Sequence, residues 1–178
     1  PLPKATAIAL FGLPSVEAAL ETIRMAFQSS VGHLRAAEAM WNSYFRLAAS
    51  AHGWAEPVVA LDQPIFLLLS LGGAGQDALH EDFERLFCET IERFPEATGI
   101  IASSRRQEDD LWRLREDSSV FYRAHPNAPS FDVSVPLSEI PAYLDRVLTG
   151  LAAIEPDLVP YVFGHLADGN LHIILNRR

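Results

Sequence analysis

Strands and helices alternate almost strictly along the 178 residues, and many of the connections are too short to separate domains. Apolar runs of strand length stand between stretches of helical periodicity from Ala5 to Leu175. The sequence therefore predicts one α+β domain, a sheet with helices packed on it, and a ferredoxin-like antiparallel arrangement of split βαβ units. A chain of this length buries roughly 70% of its extended surface, enough to fold without a disulfide or a metal.

The elements follow in order. Pro1-Leu2-Pro3 reads as a linker stub, and Ala5–Phe11 as a strand that Gly12 and Pro14 end. Ser15 is placed to cap a helix in which Val16, Ala19, Leu20, Ile23 and Phe27 recur at helical spacing. His33–Ala37 reads as a second strand and residues 39–51 as a helix with Met40, Tyr44, Leu47 and Ala48 on one face. After a polar loop, Ile65–Leu71 is a strand ended by Gly72-Gly73, followed by a helix carrying Leu79, Phe83, Leu86, Phe87 and Ile91. Thr98–Ala102 is a short strand, 105–118 a charged helix, His125–Pro129 a loop and Phe131–Val135 an alternating, half-buried strand. Ser138 is expected to cap a helix through Ile140, Tyr143, Leu144, Val147 and Leu151, with Pro141 tolerated in its first turn. Pro160–Leu166 and Leu171–Leu175 are strands on either side of Ala-Asp-Gly-Asn.

Composition narrows the function classes. A net charge of −9 repels phosphate backbones and anionic lipid, which argues against nucleic acid and membrane partners. No apolar run approaches the roughly 20 residues that span a bilayer. The single cysteine, Cys88, lies beside Phe87 in an apolar helical pattern and is expected to be a buried thiol in a reducing compartment, the cytoplasm. The one glycine cluster, Gly72-Gly73-Ala74-Gly75, reads as a strand end and helix start, not as a phosphate loop.

The most informative segment is Gly164-His165-Leu166-Ala167-Asp168-Gly169-Asn170-Leu171-His172. Asp-Gly between apolar strands signals a two-residue type I′ hairpin. In that register Leu166 faces Leu171 and His165 faces His172, so two imidazoles share one face and two leucines the other. Opposed Cβ atoms lie about 4.5–5.5 Å apart, a separation from which two imidazoles can hold one cation. Two donors do not complete a metal site. Glu38, His125 and Asp132 add to it only if the fold brings them in, and spacing alone also allows two solvated or packed histidines.

The segment resembles the GHxGDGNxH motif of the FAD-linked oxidoreductases of the D-2-hydroxyglutarate dehydrogenase, D-lactate dehydrogenase and glycolate oxidase flavin-subunit type. Other stretches resemble the same family in order and spacing. Leu111-Trp112-Arg113-Leu114-Arg115-Glu116 is similar to its LWxxRE helix, and Phe131-Asp132-Val133-Ser134-Val135-Pro136 to its xDVSVP strand. Gly12-Leu13-Pro14-Ser15 followed by Glu17-Ala18-Ala19-Leu20 is similar to the start of its cap domain.

The resemblance implies that residues 1–4 are the stub of a linker from an N-terminal FAD-binding domain, and that 5–178 form a substrate-binding cap domain continuing past Arg178. It implies FAD held mainly by that other domain, and a divalent zinc or manganese ion on His165 and His172 as catalytic residues. It assigns Arg115 to the carboxylate of a small 2-hydroxy acid, with Ser119 and Asn170 also toward substrate and Asn170 toward the flavin. A homodimer is compatible with it. Two positions depart from the pattern: Ser130 stands where many members have Lys, and Ile174 where the hydroxyglutarate type has Asn. Both changes remove a contact for a second carboxylate and point to a monocarboxylic or more apolar substrate.

A second reading makes the chain a non-catalytic ferredoxin-like domain that senses a small molecule or oligomerises, since fold alone does not imply catalysis. The two separate on convergence. Arg115, His165 and His172 surround one concavity in a cap domain and are scattered in a sensor. Hydrolysis at an isolated metal ranks last.

Overall fold

The computed structural model describes residues 3–28, 32–54 and 59–176. Its element order is β1 (Ala5–Leu13), α1 (Val16–Phe27), β2 (His33–Trp41), α2 (Asn42–His52), β3 (Ile65–Gly73), α3 (Gln76–Arg93) and β4 (Thr98–Ile101). Then come α4 (Arg105–Glu116), α5 (Ser119–Ala124), β5 (Ser130–Ser134), α6 (Ile140–Ile154), β6 (Pro160–His165) and β7 (Asn170–Leu175). The strands form one sheet in the order β4-β1-β3-β2-β6-β7-β5, and every neighbouring pair is antiparallel. The first four strands, ordered β4-β1-β3-β2, carry the expected ferredoxin-like split βαβ arrangement. The last three extend the sheet beyond β2.

Helices cover both faces, because most strands are apolar at successive positions and must be buried on both sides. Ala7, Ala9 and Phe11 of β1 and Leu67, Leu69 and Leu71 of β3 face one core with Ile23 of α1, Phe83 of α3 and Leu144 of α6. The intervening Ile8, Leu10, Phe66 and Leu68 face a second core with Tyr44 and Phe45 of α2, Leu111 and Leu114 of α4 and Phe121 of α5. Ser15 caps α1 as expected, accepting from Ala18 N at 3.1 Å.

Four local expectations are corrected. The helix expected from residue 39 begins at Asn42. Ala39, Met40 and Trp41 instead continue β2, pairing with Leu67, Phe66 and Ile65, so strand pairing overrides their helix propensity. Ser138 is not a cap: it lies within a 3₁₀ turn, Leu137–Glu139, and Glu139 is the N-cap of α6. Cys88 is exposed, because α3 turns its other side to the core. The 105–118 helix ends at Glu116, and the short helix α5, unforeseen, follows and buries Val120 and Phe121. Pro1 and Leu2 lie outside the described residues.

Candidate functional site

The β6–β7 hairpin keeps the expected faces but not the expected turn. Phe163 pairs with His172, Gly164 with Leu171 and His165 with Asn170, leaving Leu166–Gly169 as a four-residue loop. Asp168 is not at positive φ, which a type I′ turn requires, and only Gly169 is, at 77°. Asp168 instead accepts from Asn170 N at 3.0 Å, as an aspartate does in a turn. Leu166 N donates to Ala37 O at 2.9 Å, so Leu166 stays beside β2 when it has left β7. His165 and His172 are therefore diagonal rather than opposed. The partner of His165 has moved by two residues, from His172 to Asn170, and an even slip leaves both imidazoles on one face. Their ring centroids are 5.9 Å apart. Leu166 and Leu171 are fully buried on the other face, as expected.

Gly164 makes this pairing possible. A Cβ there would lie 2.1 Å from Asn170 O and 2.8 Å from Leu171 Cα.

Each histidine is held from behind by a carboxylate on the adjacent strand. Glu38 of β2 pairs directly with His165, and its Oε1 lies 2.7 Å from His165 Nδ1. Asp132 of β5 pairs directly with His172 and bonds its Nδ1. An ionised carboxylate only accepts, so both Nδ1 atoms carry the proton and both Nε2 atoms present a lone pair in the neutral ring. Among the described residues neither Nε2 is hydrogen-bonded. This is how metal-binding imidazoles are commonly oriented, by a carboxylate on the far nitrogen.

The other oxygen of Glu38 holds Arg115. Arg115 Nη2 lies 2.8 Å from Glu38 Oε2, a contact poorly aligned as a hydrogen bond and so an ion pair. Both residues are buried. The fold thus gives Arg115 a buried partner 77 positions upstream. Its guanidinium also lies over Phe163, 4.8 Å from the ring centroid, and that ring lies 4.9 Å from His172. Tyr44 fixes the end of α4 by donating to Arg115 O at 2.9 Å. Burial pushes the Tyr44 phenol up to about 12, with the Arg115 charge acting against it.

Arg115, Glu38, His165, Phe163, His172 and Asp132 thus form one continuous cluster on the face of the second core. Its cover is uneven: the side chain of Glu38 is 9% exposed, His165 47%, His172 22% and Asp132 72%. Asn170 sits in the same row as Glu38 and His165, with its Oδ1 buried and without a partner among the described residues. Ser119 stands apart, its hydroxyl bonded to Asp117 and Arg123. His125 is also elsewhere, with Nε2 3.1 Å from Tyr161 Oη. A cleft of about 230 Å³ opens beside Glu38 and His165, lined also by Arg35 and Asp168, but Arg115 and His172 do not reach it.

The 5.9 Å between the two ring centroids is compatible with a shared divalent ion. Rings sharing an ion through bonds of roughly 2.0–2.1 Å have centroids about 5–6 Å apart. Among the described residues no three His, Cys, Asp or Glu side chains converge to hold one, because Glu38 and Asp132 sit behind the rings. Glu38 did leave a sequence signal: it is the one charge in Ala36–Trp41, an otherwise apolar stretch of strand.

Comparisons with known proteins bear on the family and the fold. A family model described as FAD linked oxidases, C-terminal domain, matches residues 2–177. A D-2-hydroxyglutarate dehydrogenase of Xanthomonas citri pv. viticola is 33% identical over 126 residues, 69% of this chain and 25% of that protein. A mitochondrial protein of Schizosaccharomyces pombe that carries the name of a D-lactate dehydrogenase is 29% identical over 187 residues, 96% of this chain and 34% of its own. In fold, the chain is similar to an alkyldihydroxyacetonephosphate synthase, with TM-score 0.66 and 11% identity over 98% of this chain and 36% of that one. It is also similar to a 4-ethylphenol oxidase from Gulosibacter chungangensis, with TM-score 0.58 and 12% identity over 98% of this chain and 40% of that one. The chain thus spans between a quarter and two fifths of the length of these four proteins.

Proposed function

The chain belongs to the family of FAD linked oxidases, C-terminal domain, and we propose that it is the substrate-facing part of a dehydrogenase that oxidises a D-2-hydroxy acid to the 2-oxo acid. The observation that carries this is clustering on one sheet face, in place of the single concavity expected, since the cleft beside His165 does not take in Arg115 or His172. Arg115 of α4, His165 of β6 and His172 of β7 meet on one sheet face, joined by Glu38 and Phe163. A sensor or oligomerisation domain has no need of two carboxylate-backed imidazoles next to a buried guanidinium.

In this reading Arg115 binds the substrate carboxylate, using the donors that Glu38 leaves free; its Nε is buried without a partner among the described residues. A planar guanidinium suits a carboxylate because its donors match the two oxygens. His165 and His172 would hold a zinc or manganese ion beside it, with further donors from outside the described residues. When bound, that ion supplies Lewis acidity at the 2-hydroxyl, and FAD, held by a separate N-terminal domain, supplies the two-electron acceptor. Asn170, the direct cross-strand partner of His165, has a buried oxygen without a partner among the described residues, and in this reading that oxygen accepts a hydrogen bond from substrate or flavin.

The substrate class follows from one cross-strand pair. Ser130 and Ile174 are direct partners on β5 and β7, two residues along the ladder from the Asp132–His172 pair and on the same face, and Tyr161 completes the row on β6. Ile174 is 1% exposed and belongs to the second core. This row offers no cation to a second carboxylate, which favours a monocarboxylic or apolar side chain over hydroxyglutarate. The cytoplasm remains an expectation of the sequence, since relatives include mitochondrial proteins. No described helix is long and apolar enough to cross a membrane.

The test is anaerobic mixing of the flavin-loaded protein that contains this chain with D- and L-lactate and D-2-hydroxyglutarate. Bleaching of the flavin by D-lactate, slower bleaching by D-2-hydroxyglutarate and none by L-lactate is expected. A flavin that stays oxidised with every D-2-hydroxy acid contradicts the reading.

A further inference from the structure

We propose that Glu38 is the positioning residue of the site: one carboxylate fixes the proton of His165 and aligns Arg115 at the same time. It contributes one oxygen to each, 2.7 Å from His165 Nδ1 and 2.8 Å from Arg115 Nη2. Its backbone is locked directly opposite His165 in the β2–β6 ladder and its side chain is buried. Glu38 therefore cannot turn towards one partner without leaving the other. Asp132, by contrast, serves His172 alone and is exposed. The inference rests on reading Arg115 and His165 as functional, although its test needs no activity.

The chemistry of the two partners of Glu38 sets a sharp consequence. Arg115 does not give up its protons and can only donate. Neutral His165 can do either, by moving its proton between Nδ1 and Nε2. In Glu38→Gln the side chain keeps its shape but has one oxygen and one NH2. The oxygen must face Arg115, so the NH2 faces His165, whose Nδ1 must then accept. His165 therefore switches to the Nε2–H tautomer and loses the Nε2 lone pair that faces a ligand. In Asp132→Asn the amide oxygen has only one donor to satisfy, so His172 keeps its Nδ1–H form.

The experiment is long-range ¹H–¹⁵N correlation of the imidazoles in the metal-free 178-residue chain, at a pH well above the ordinary histidine value of roughly 6.5. His165→Gln and His172→Gln assign the two rings. In wild type both are expected as Nδ1–H. Glu38→Gln is expected to exchange the protonated and unprotonated ¹⁵N shifts of His165 and leave His172 unmoved. Adding Arg115→Met to Glu38→Gln frees the amide oxygen and returns His165 to Nδ1–H. Asp132→Asn leaves both rings as in wild type. Wild-type His165 in the Nε2–H form overturns the proposal without any variant having to fold. An unchanged His165 in Glu38→Gln, or no reversal in the double variant, overturns the coupling to Arg115. A protein that shows these tautomers yet oxidises no 2-hydroxy acid keeps the Glu38 role and loses the proposed function.

Discussion

His165 and His172 lie on a diagonal of the β6–β7 ladder, with ring centroids 5.9 Å apart and each Nδ1 bonded to a carboxylate on the neighbouring strand. The pair is built so that both rings offer the same nitrogen outward. Removing one ring removes half of that donor set and leaves its carboxylate behind. The flavin-loaded protein stripped with a chelator is expected to regain activity with zinc or manganese. His165→Ala and His172→Ala are expected not to regain it, which steady-state assays before and after metal addition check.

Arg115 carries two duties that separate in measurement. As a buried ion-pair partner it holds Glu38, so Arg115→Met strips the cation from Glu38 Oε2, leaving the carboxylate only His165, and is expected to cost about 3 kcal/mol of stability. As a carboxylate receptor it acts in both ground and transition state, so the variant that remains folded raises KM more than it lowers kcat. Urea unfolding of Arg115→Met beside the Glu38→Gln/Arg115→Met double variant checks the first point. The double variant, with no buried charge left, is expected to recover much of the loss.

Gly164 and Gly169 hold the hairpin by what they lack. Gly164→Ala places a methyl against Asn170 O and Leu171 Cα, backbone atoms that cannot swing aside, and Gly169→Ala meets Val135 O at 2.1 Å with φ at 77°. Each is expected to destabilise by about 1–3 kcal/mol or more, read as a lower denaturation midpoint.

Tyr44 gives a pH prediction. Its phenol ionises near 10 when exposed and is pushed up to about 12 here, chiefly by burial. The folded state thus holds that proton more tightly than the unfolded state. The stability it contributes is complete below pH 10 and falls as pH rises from 10 towards 12. Tyr44→Phe is expected to remove this fall and to cost about 1 kcal/mol for the lost bond to Arg115 O. Denaturation midpoints at pH 8 and about 11 check both.

Much of the frame was legible because it rests on local signals. Ser15 before an apolar helical period, and the continuous run Ile65–Leu71, needed no tertiary knowledge. The ends of elements were not legible where pairing decides them. Nothing local makes Met40 a strand residue; its partners Phe66 and Phe163 do. The hairpin register failed for the same reason, since Leu166 follows β2 through Ala37. The helix α5 is held by Phe121, stacked on Tyr44 at 4.3 Å, a contact invisible in six residues of sequence. At the site, turn spacing named His165 and His172, and the family resemblance named Arg115 and Asn170 together with Ser119, which stands apart. The roles of Glu38 and Asp132 needed the sheet order, which sets them behind the rings and not in front.

Substrate breadth tests the Ser130–Ile174 row. Ser130 is exposed on an edge strand, so Ser130→Lys is tolerated and brings a cation into the row beside His172. It is expected to raise kcat/KM for D-2-hydroxyglutarate relative to D-lactate about tenfold, the effect of roughly 1.4 kcal/mol. Competition assays with both acids measure that ratio.

The most direct test of the central claim is single-turnover flavin reduction by D-lactate in His165→Ala and His172→Ala, with FAD content measured alongside. Losing several kcal/mol of hydroxyl activation predicts flavin reduction slowed by at least about a hundredfold in each variant, with FAD still bound stoichiometrically. Reduction at close to the wild-type rate in either variant would contradict the account and return His165 and His172 to a structural role.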